Sequence, residues 1–440
     1  MLGAAACAGK PEAAACSLAI EHVSVVPMDA ERVLTDQTVR LEGARIASVQ
    51  SASRPGVTCA RRVDGRGKYL LPGLNDMHMH VESTMFAEAM HAPVQPIPFE
   101  DVLYNYLSHG VTGVRVMSGA PDILAFRNSS HGPAPRMLVA SPMLAGSPAM
   151  MPAPVMIPLA TPGEAVAAVN AYADAGYDFI KIRESVTPEV LAAIVDTANT
   201  RHLDVDGHLP HAVADPFVTG QRGVAHVDEL SLRVRDINRD PADIAHRLHA
   251  CHCYVTTTLT VEQGAAAQLR DYDAMAARPE GRFVYPLMRQ AMWVRERNSY
   301  LLEHQDPAFF EHLLETDKVM VRALAREGVP IMAGTDAMIP MVIPGDSLHD
   351  ELALLVSAGL SPYDAIRAAT RTPSEIFARF HDLGVVAPAR AANLILVSGN
   401  PLRSVTVLRR PEAVIVEGVY LDRAGLDRHM EELTHRWSAP

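Results

Sequence analysis

Three things are missing from this 440-residue sequence, and each absence removes a class of function. There is no basic excess: 39 lysines and arginines face 51 aspartates and glutamates, a formal charge of -12. A phosphate backbone is gripped by displacing its counterions with cationic side chains, so nucleic acid is not expected as a partner. No apolar run is long enough to span a bilayer. Cysteine is scarce as well. The five residues Cys7, Cys16, Cys59, Cys251 and Cys253 are too few and too scattered for a disulfide framework, although Cys7 and Cys16 would be free to pair in an exported protein. What is present is 48% hydrophobic residues, ample for a core, in a chain longer than one ordinary domain.

Residues 1–17, opening MLGAAACAGKPEAAAC, are small and without pattern. They read either as a flexible tail or as the remnant of a processed export signal ending near Cys7; the charged and long apolar parts of such a signal are missing. From Leu18 to about residue 70 the texture is that of strands, with LAIEHVSVV and QTVRLEGARIASVQ rich in β-branched residues. The same texture returns in NLILVSG and AVIVEGVYL near the other end. Residues 18–70 and 380–440 are therefore expected to pair into one small β-sandwich domain, interrupted by residues 71–379.

That middle region alternates short apolar runs with helical stretches, the mark of β-α units and a parallel sheet. Eight runs are readable: LLPGLNDMHMH, VTGVRVM, RMLVASPML, YDFIKIR, LDVDGHL, GVAHVDE, CYVTTTL and VPIMAGTDA. Helical segments such as TPGEAVAAVNAYADAG and TPEVLAAIVDTANTRH open at Thr-Pro, as an N-cap should. The leading fold class is α/β, a (β/α)8 TIM-type barrel, with an open doubly wound sheet as the alternative. In a barrel the carboxyl ends of the strands converge on one mouth.

The residues at those ends are chemically coherent. The first run carries His78 and His80, which share a face of a strand because alternate side chains do. The fourth ends near Lys181, the fifth at His208, the sixth at His226 and the eighth at Asp336. Imidazoles with a carboxylate suit zinc, iron, nickel or manganese. A histidine pair in a strand can equally be structural, and Lys181 taken alone reads as a surface lysine. Within this set, a desolvated and neutral Lys181 amine could take up carbon dioxide, becoming a carbamate able to bridge two ions.

The run PGLNDMHMH, the order His-x-His, Lys, His, His, Asp, and the tail GVVAPARAANLILVSGNPL followed by VIVEGVYL resemble the amidohydrolase superfamily. The likeness is to its imidazolonepropionase-like and prolidase-like hydrolases, and spans Leu18 to Leu421. The resemblance implies a binuclear centre of two divalent ions, most often zinc. His78, His80 and Asp336 would hold the buried ion, His208 and His226 the outer one, and carboxylated Lys181 would bridge. It also implies a hydroxide between the ions as nucleophile, with Asp336 as general base and then general acid. The implied reaction is cleavage of an amide in a small carboxylate-bearing substrate: a dipeptide, as for a dipeptidase or carboxypeptidase, an N-acyl amino acid, or an ochratoxin-type xenobiotic amide.

The sequence departs from the family in three places. LAGSPAMMPAPVM stands where relatives often carry Gly-Gly-His, GHLPHAV where they carry His-Ala-Tyr, and Val114-Arg115-Val116 where they carry Val-Arg-Asp. Candidates for substrate contact are Arg115 and Arg183, as carboxylate clamps, and His211 and His349 near the mouth; each could instead serve structure. The Met- and Pro-rich loop at 145–158 reads as a flexible apolar cover. Cys251-His252-Cys253 leads into the seventh strand and lacks a second pair at zinc-finger spacing. The helical stretch from Glu262 to Arg326 reads as extra cover for the mouth or as an oligomer contact, and a homo-oligomer is expected. Three readings compete with the amide hydrolase: a mononuclear deaminase or cyclic-imide hydrolase, which would not need Lys181; a lactonase or phosphotriesterase; and an assembly protein without metal.

Overall fold

The computed structural model describes residues 16–438, apart from 55–57, 90, 92–95, 130, 150, 152, 214, 238–239, 292, 297 and 338. The tail's first fifteen residues, Cys7 among them, therefore lie outside the described residues. The two ends of the chain share a sheet. Its strands run in the order Val419–Asp422, Ala413–Val416, Leu394–Val397, Tyr69–Pro72, Leu18–Val25, Leu34–Glu42 and Arg45–Ser51, with Arg61–Asp64 also pairing the strand Leu18–Val25. The seam between the ends is antiparallel, with Leu394 opposite Pro72 and Ile395 opposite Leu71. Hydrogen bonding makes this one eight-stranded sheet, not two separate ones. Its fully buried residues include Ile20, Val23, Val39, Leu70, Leu394 and Ile415.

Two features of this region escaped the sequence reading. The carboxyl-terminal segment ends in a helix, Arg423–Trp437, capped by Asp422 and packed on the helix Phe99–Ser108. It buries Leu426, Met430 and Leu433, a sparse stripe in a polar stretch. Cys16 is bonded to Cys59, and so is not available to Cys7. The physical reason is parallel pairing of Leu18 with Arg61, which brings Ala60 N to within 3.0 Å of the Cys16 carbonyl. A bridge across 43 residues removes about 4 kcal/mol of freedom from the unfolded chain. Cys251 and Cys253 are also bonded to each other.

The middle of the chain is α/β with parallel strands. One set is Leu74–Met79, Val111–Val116 and Arg136–Val139. The other runs Met156–Leu159, Met143–Gly146, Phe179–Ile182, Asp204–Gly207, Gly223–Val224, Tyr254–Thr256 and Ile331–Met332. Single bridges join the two sets, Ala140 to Phe179 and Met79 to Ala337, an order consistent with a (β/α)8 barrel. The third run is split in two around Ser141-Pro142. Part of the loop at 145–158 is itself a strand, Met156–Leu159, and Met143, Ala145, Val155 and Met156 are buried together. The predicted caps are present: Thr161 and Glu164 form a capping box, and Thr187 accepts from Val190 N.

Arg115 is wholly enclosed by this core. Its guanidinium pairs with buried Asp206, donates to the Met77 carbonyl at 3.3 Å and lies 4.4 Å from the Phe179 ring centre. Alternation along the strand could not distinguish this inward ion pair from a clamp at the mouth, because its partner lies 91 residues away. Replacing Arg115 with Met would strand a buried carboxylate and cost about 3–5 kcal/mol in urea unfolding; replacing Asp206 with Leu as well should recover much of that.

The helix Pro307–Glu327 packs on the helices Asp228–Ile237, Pro241–Ala250 and Thr260–Arg270. Its core-facing stripe contains Asp317, a buried carboxylate with the Ser231 hydroxyl beside it. Burial pushes Asp317 up to about 8, and the neighbouring Asp228 and Glu351 charges push the same way. Its folded-state proton affinity exceeds the unfolded one, so its contribution to stability is complete below about pH 4 and is lost as pH rises toward 8. Asp317→Asn should therefore stabilise the fold by about 1–3 kcal/mol at pH 8 and flatten the decline, read by thermal unfolding from pH 5 to 9.

Candidate metal centre

Period-two alternation sends His78 and His80 from the strand Leu74–Met79 and its end toward one carboxylate, that of Asp336. Asp336 follows the strand Ile331–Met332 and is turned inward by a left-handed backbone, φ 57°, with its N–H on the His78 carbonyl at 2.7 Å. Asp76 clasps the two strands. Its Oδ1 accepts from Thr335 N at 3.1 Å and His78 N at 3.3 Å, and its Oδ2 from the Thr335 hydroxyl at 2.7 Å. The sequence reading missed Asp76, although it stands two residues before His78 on the same strand face.

The histidine tautomers can be argued from their partners. His78 Nδ1 lies 2.9 Å from the Ala225 carbonyl. A carbonyl only accepts, so Nδ1 carries the proton and neutral Nε2 presents a lone pair. That lone pair faces Asp336 Oδ1 at 3.2 Å, and His80 Nε2 faces the same oxygen at 2.9 Å. Asp336 Oδ1 nevertheless has no hydrogen-bond partner among the described residues. Lone pairs held this close are reconciled by a cation between them, and these separations match the edges of a shell with bonds of about 2.0–2.2 Å. The potential ligand atoms of His78, His226 and Asp336 all lie within 4.8 Å of one another.

Two hydroxyls behind the imidazoles, also missed from sequence, aim the rings. Ser118 Oγ is 2.8 Å from His80 Nδ1, and Thr258 Oγ1 is 2.9 Å from His226 Nδ1. His226 stacks near His78, ring centres 4.4 Å apart, and His208 lies 4.8 Å from His226. Burial lowers His78 to about 4 and holds His208 and His226 well below the usual imidazole range, so all three rest neutral.

Lys181, on the strand Phe179–Ile182, is 1% exposed, and its Nζ has no hydrogen-bond partner among the described residues. Burial lowers its ammonium to about 8, an effect opposed by the charges of Asp206 and Asp336. An amine buried without a partner is costly unless something further occupies the space beside it. The donor set of imidazoles, one carboxylate and an orphaned lysine thus fits divalent ions.

The remaining substrate-contact candidates divide. Arg183 is charge-coupled to Lys181, His208 and His226, and lies 2.9 Å from Glu184. Glu229 stands 4.0 Å from His208. His211 is exposed, its backbone N–H on the Glu184 carbonyl at 2.9 Å. His349 is buried elsewhere, with Nε2 2.9 Å from the His109 carbonyl, beside Asp346 and Arg409.

Comparison with known proteins agrees with this chemistry. The amidohydrolase family profile matches residues 69–421. Adenine deaminase 2 of Rhizobium meliloti (strain 1021) is 27% identical over 364 residues, 81% of this chain and 50% of that protein. The chain thus spans about half the length of the curated relatives it matches. Among solved structures, bottromycin amidohydrolase aligns with a TM-score of 0.74 at 25% identity, over 96% of this chain and 90% of its own. A Xaa-Pro dipeptidase with bound methionine aligns at 0.68 and 20% identity, covering 92% and 99%. The ochratoxinase of A. niger aligns at 0.69 and 18%, covering 93% and 96%. The last two, below 25% identity, speak to fold alone. With the matched profile covering most of its length, the chain belongs to the amidohydrolase family.

Proposed function

We propose that this chain is a metal-dependent hydrolase of carbon–nitrogen bonds, acting on an amide in a small carboxylate-bearing molecule. The observation that carries the reading is His78 Nε2 facing an Asp336 oxygen that, like the buried Lys181 amine, has no hydrogen-bond partner among the described residues. We read the two linked parallel sets as a closed eight-stranded barrel, which accounts for six residues from five strands reaching one place. His78, His80 and Asp336 would hold one ion, His208 and His226 a second, and Lys181, as its carbamate, would bridge. Bound divalent ions would supply Lewis acidity and bring the pKa of water toward neutrality. Asp336 would accept the proton of the attacking water and return it to the departing amine. Arg183, beside the outer histidines, would receive the substrate carboxylate in place of Glu184.

The curated relatives support a second reading, deamination of an amino-heterocycle such as adenine. A panel of dipeptides, N-acyl amino acids, ochratoxin-type amides, adenine, lactones and phosphotriesters, assayed with zinc and with manganese, tests both. Amide cleavage with two metal equivalents per chain is the expected outcome. Ammonia release from adenine with one equivalent would favour the deaminase, and activity on none of the amides would overturn the first reading. A homo-oligomer remains part of the proposal, with exposed Phe309 and Val319 on the helix Pro307–Glu327 as its contact; light scattering on Phe309→Ser reads it.

A further inference from the structure

The bond between Cys251 and Cys253 stands apart from the metal centre and from the other disulfide. The helix Pro241–Ala250 ends at Cys251, and its last turn closes through His252 N to the His249 carbonyl and Cys253 N to the Leu248 carbonyl, both 3.0 Å. His252 takes the left-handed conformation that such a helix stop requires, φ 54°. The two cysteines are therefore brought together by the helix end itself. Cys16–Cys59 ties positions 43 apart, whereas Cys251–Cys253 ties positions 2 apart. A bridge that short removes little freedom from the unfolded chain, so stapling the fold does not explain it.

The two sulfurs are unequal. Cys253 is 3% exposed, while Cys251 is only partly buried at the edge of the core. Each also has an acceptor in reach for the reduced state: the Leu248 carbonyl 3.3 Å from Cys251 Sγ, and the Gln221 carbonyl 3.4 Å from Cys253 Sγ. Reduction would leave neither thiol without an acceptor. The carboxyl end of a helix disfavours an anion, so the reduced pair would rest as thiols donating to these carbonyls.

We propose that Cys251 and Cys253 are a reversible dithiol–disulfide couple that exchanges with small-molecule thiols through Cys251. An incoming thiolate attacks Cys251 Sγ, forming a mixed disulfide and releasing Cys253 as a thiolate that takes up a proton. A second thiolate attacks the external sulfur of the mixed disulfide, and Cys251 leaves and is protonated. The protein disulfide gains two electrons and two protons, and two small thiols become one small disulfide.

The test uses the full chain carrying Cys7→Ser, so that this cysteine takes no part. It is equilibrated in buffers of varied reduced-to-oxidised glutathione ratio, acid-quenched, alkylated and mapped by mass spectrometry. Cys251–Cys253 should open at ratios where Cys16–Cys59 stays bonded, and close again when oxidised glutathione is restored. With oxidised glutathione, Cys253→Ser should collect the adduct on Cys251 at least about tenfold faster than Cys251→Ser collects it on Cys253. A pair that opens only together with Cys16–Cys59, thiols that never close, or equal adduct rates would overturn the proposal. The first readout needs neither serine variant to fold.

Discussion

Asp336→Asn should lower kcat by roughly 10²–10⁴-fold while leaving metal content and unfolding temperature near those of the parent. The amide keeps the carboxylate's shape and one oxygen, but gives up the charge and basicity needed to accept a proton from water. The expected signature is a fall in kcat with KM little changed, because the role proposed for Asp336 lies in proton transfer and not in substrate recognition. An Asn variant with full metal and an unimpaired rate would remove Asp336 from the chemistry, whatever its place in the ligand set.

The second large effect belongs to Lys181. Lys181→Met should cut kcat/KM by about 10³-fold or more and reduce bound metal toward one equivalent, since it removes the bridge proposed between two ions. A stability measurement sharpens this. In metal-free protein the buried amine has no partner, so methionine in its place should raise stability by about 1–3 kcal/mol. In metal-loaded protein the same substitution should lower it. Melting both proteins with and without chelator checks the change of sign; a variant destabilised equally in both states would mean that Lys181 serves only as packing.

Much of the candidate site could be read from the sequence because strands impose a simple geometry. His78 and His80 share a face at any two-residue spacing in a strand, and His226 and Asp336 each follow an apolar run that is a strand in the structure. Side-chain direction was harder. Arg115 also sits on a strand, but whether it points to the mouth or to Asp206 depends on a neighbour supplied by a distant strand. His349 lies in the first turn of the helix Ser347–Ser357, and its partner, the His109 carbonyl, is 240 residues away. Ser118 and Thr258 had no signal of their own, since a hydroxyl after a strand is ordinary until the ring it orients is known. The Cys16–Cys59 bond had no signal in the sequence for a related reason: it depends on the parallel register of Leu18 with Arg61, and spacing between cysteines carries no information about that.

The shared sheet has a consequence for biosynthesis. On the ribosome, the strand Tyr69–Pro72 emerges long before Leu394–Val397, its neighbour in the finished protein. At about 5–20 residues per second, the hydrogen-bonding edge awaiting that neighbour stays open for roughly a quarter of a minute to a minute. Throughout that interval an apolar strand with free N–H and C=O groups is available to other nascent chains. Yield in a cell should thus respond to holdase chaperones and to slower growth at low temperature more than to added metal.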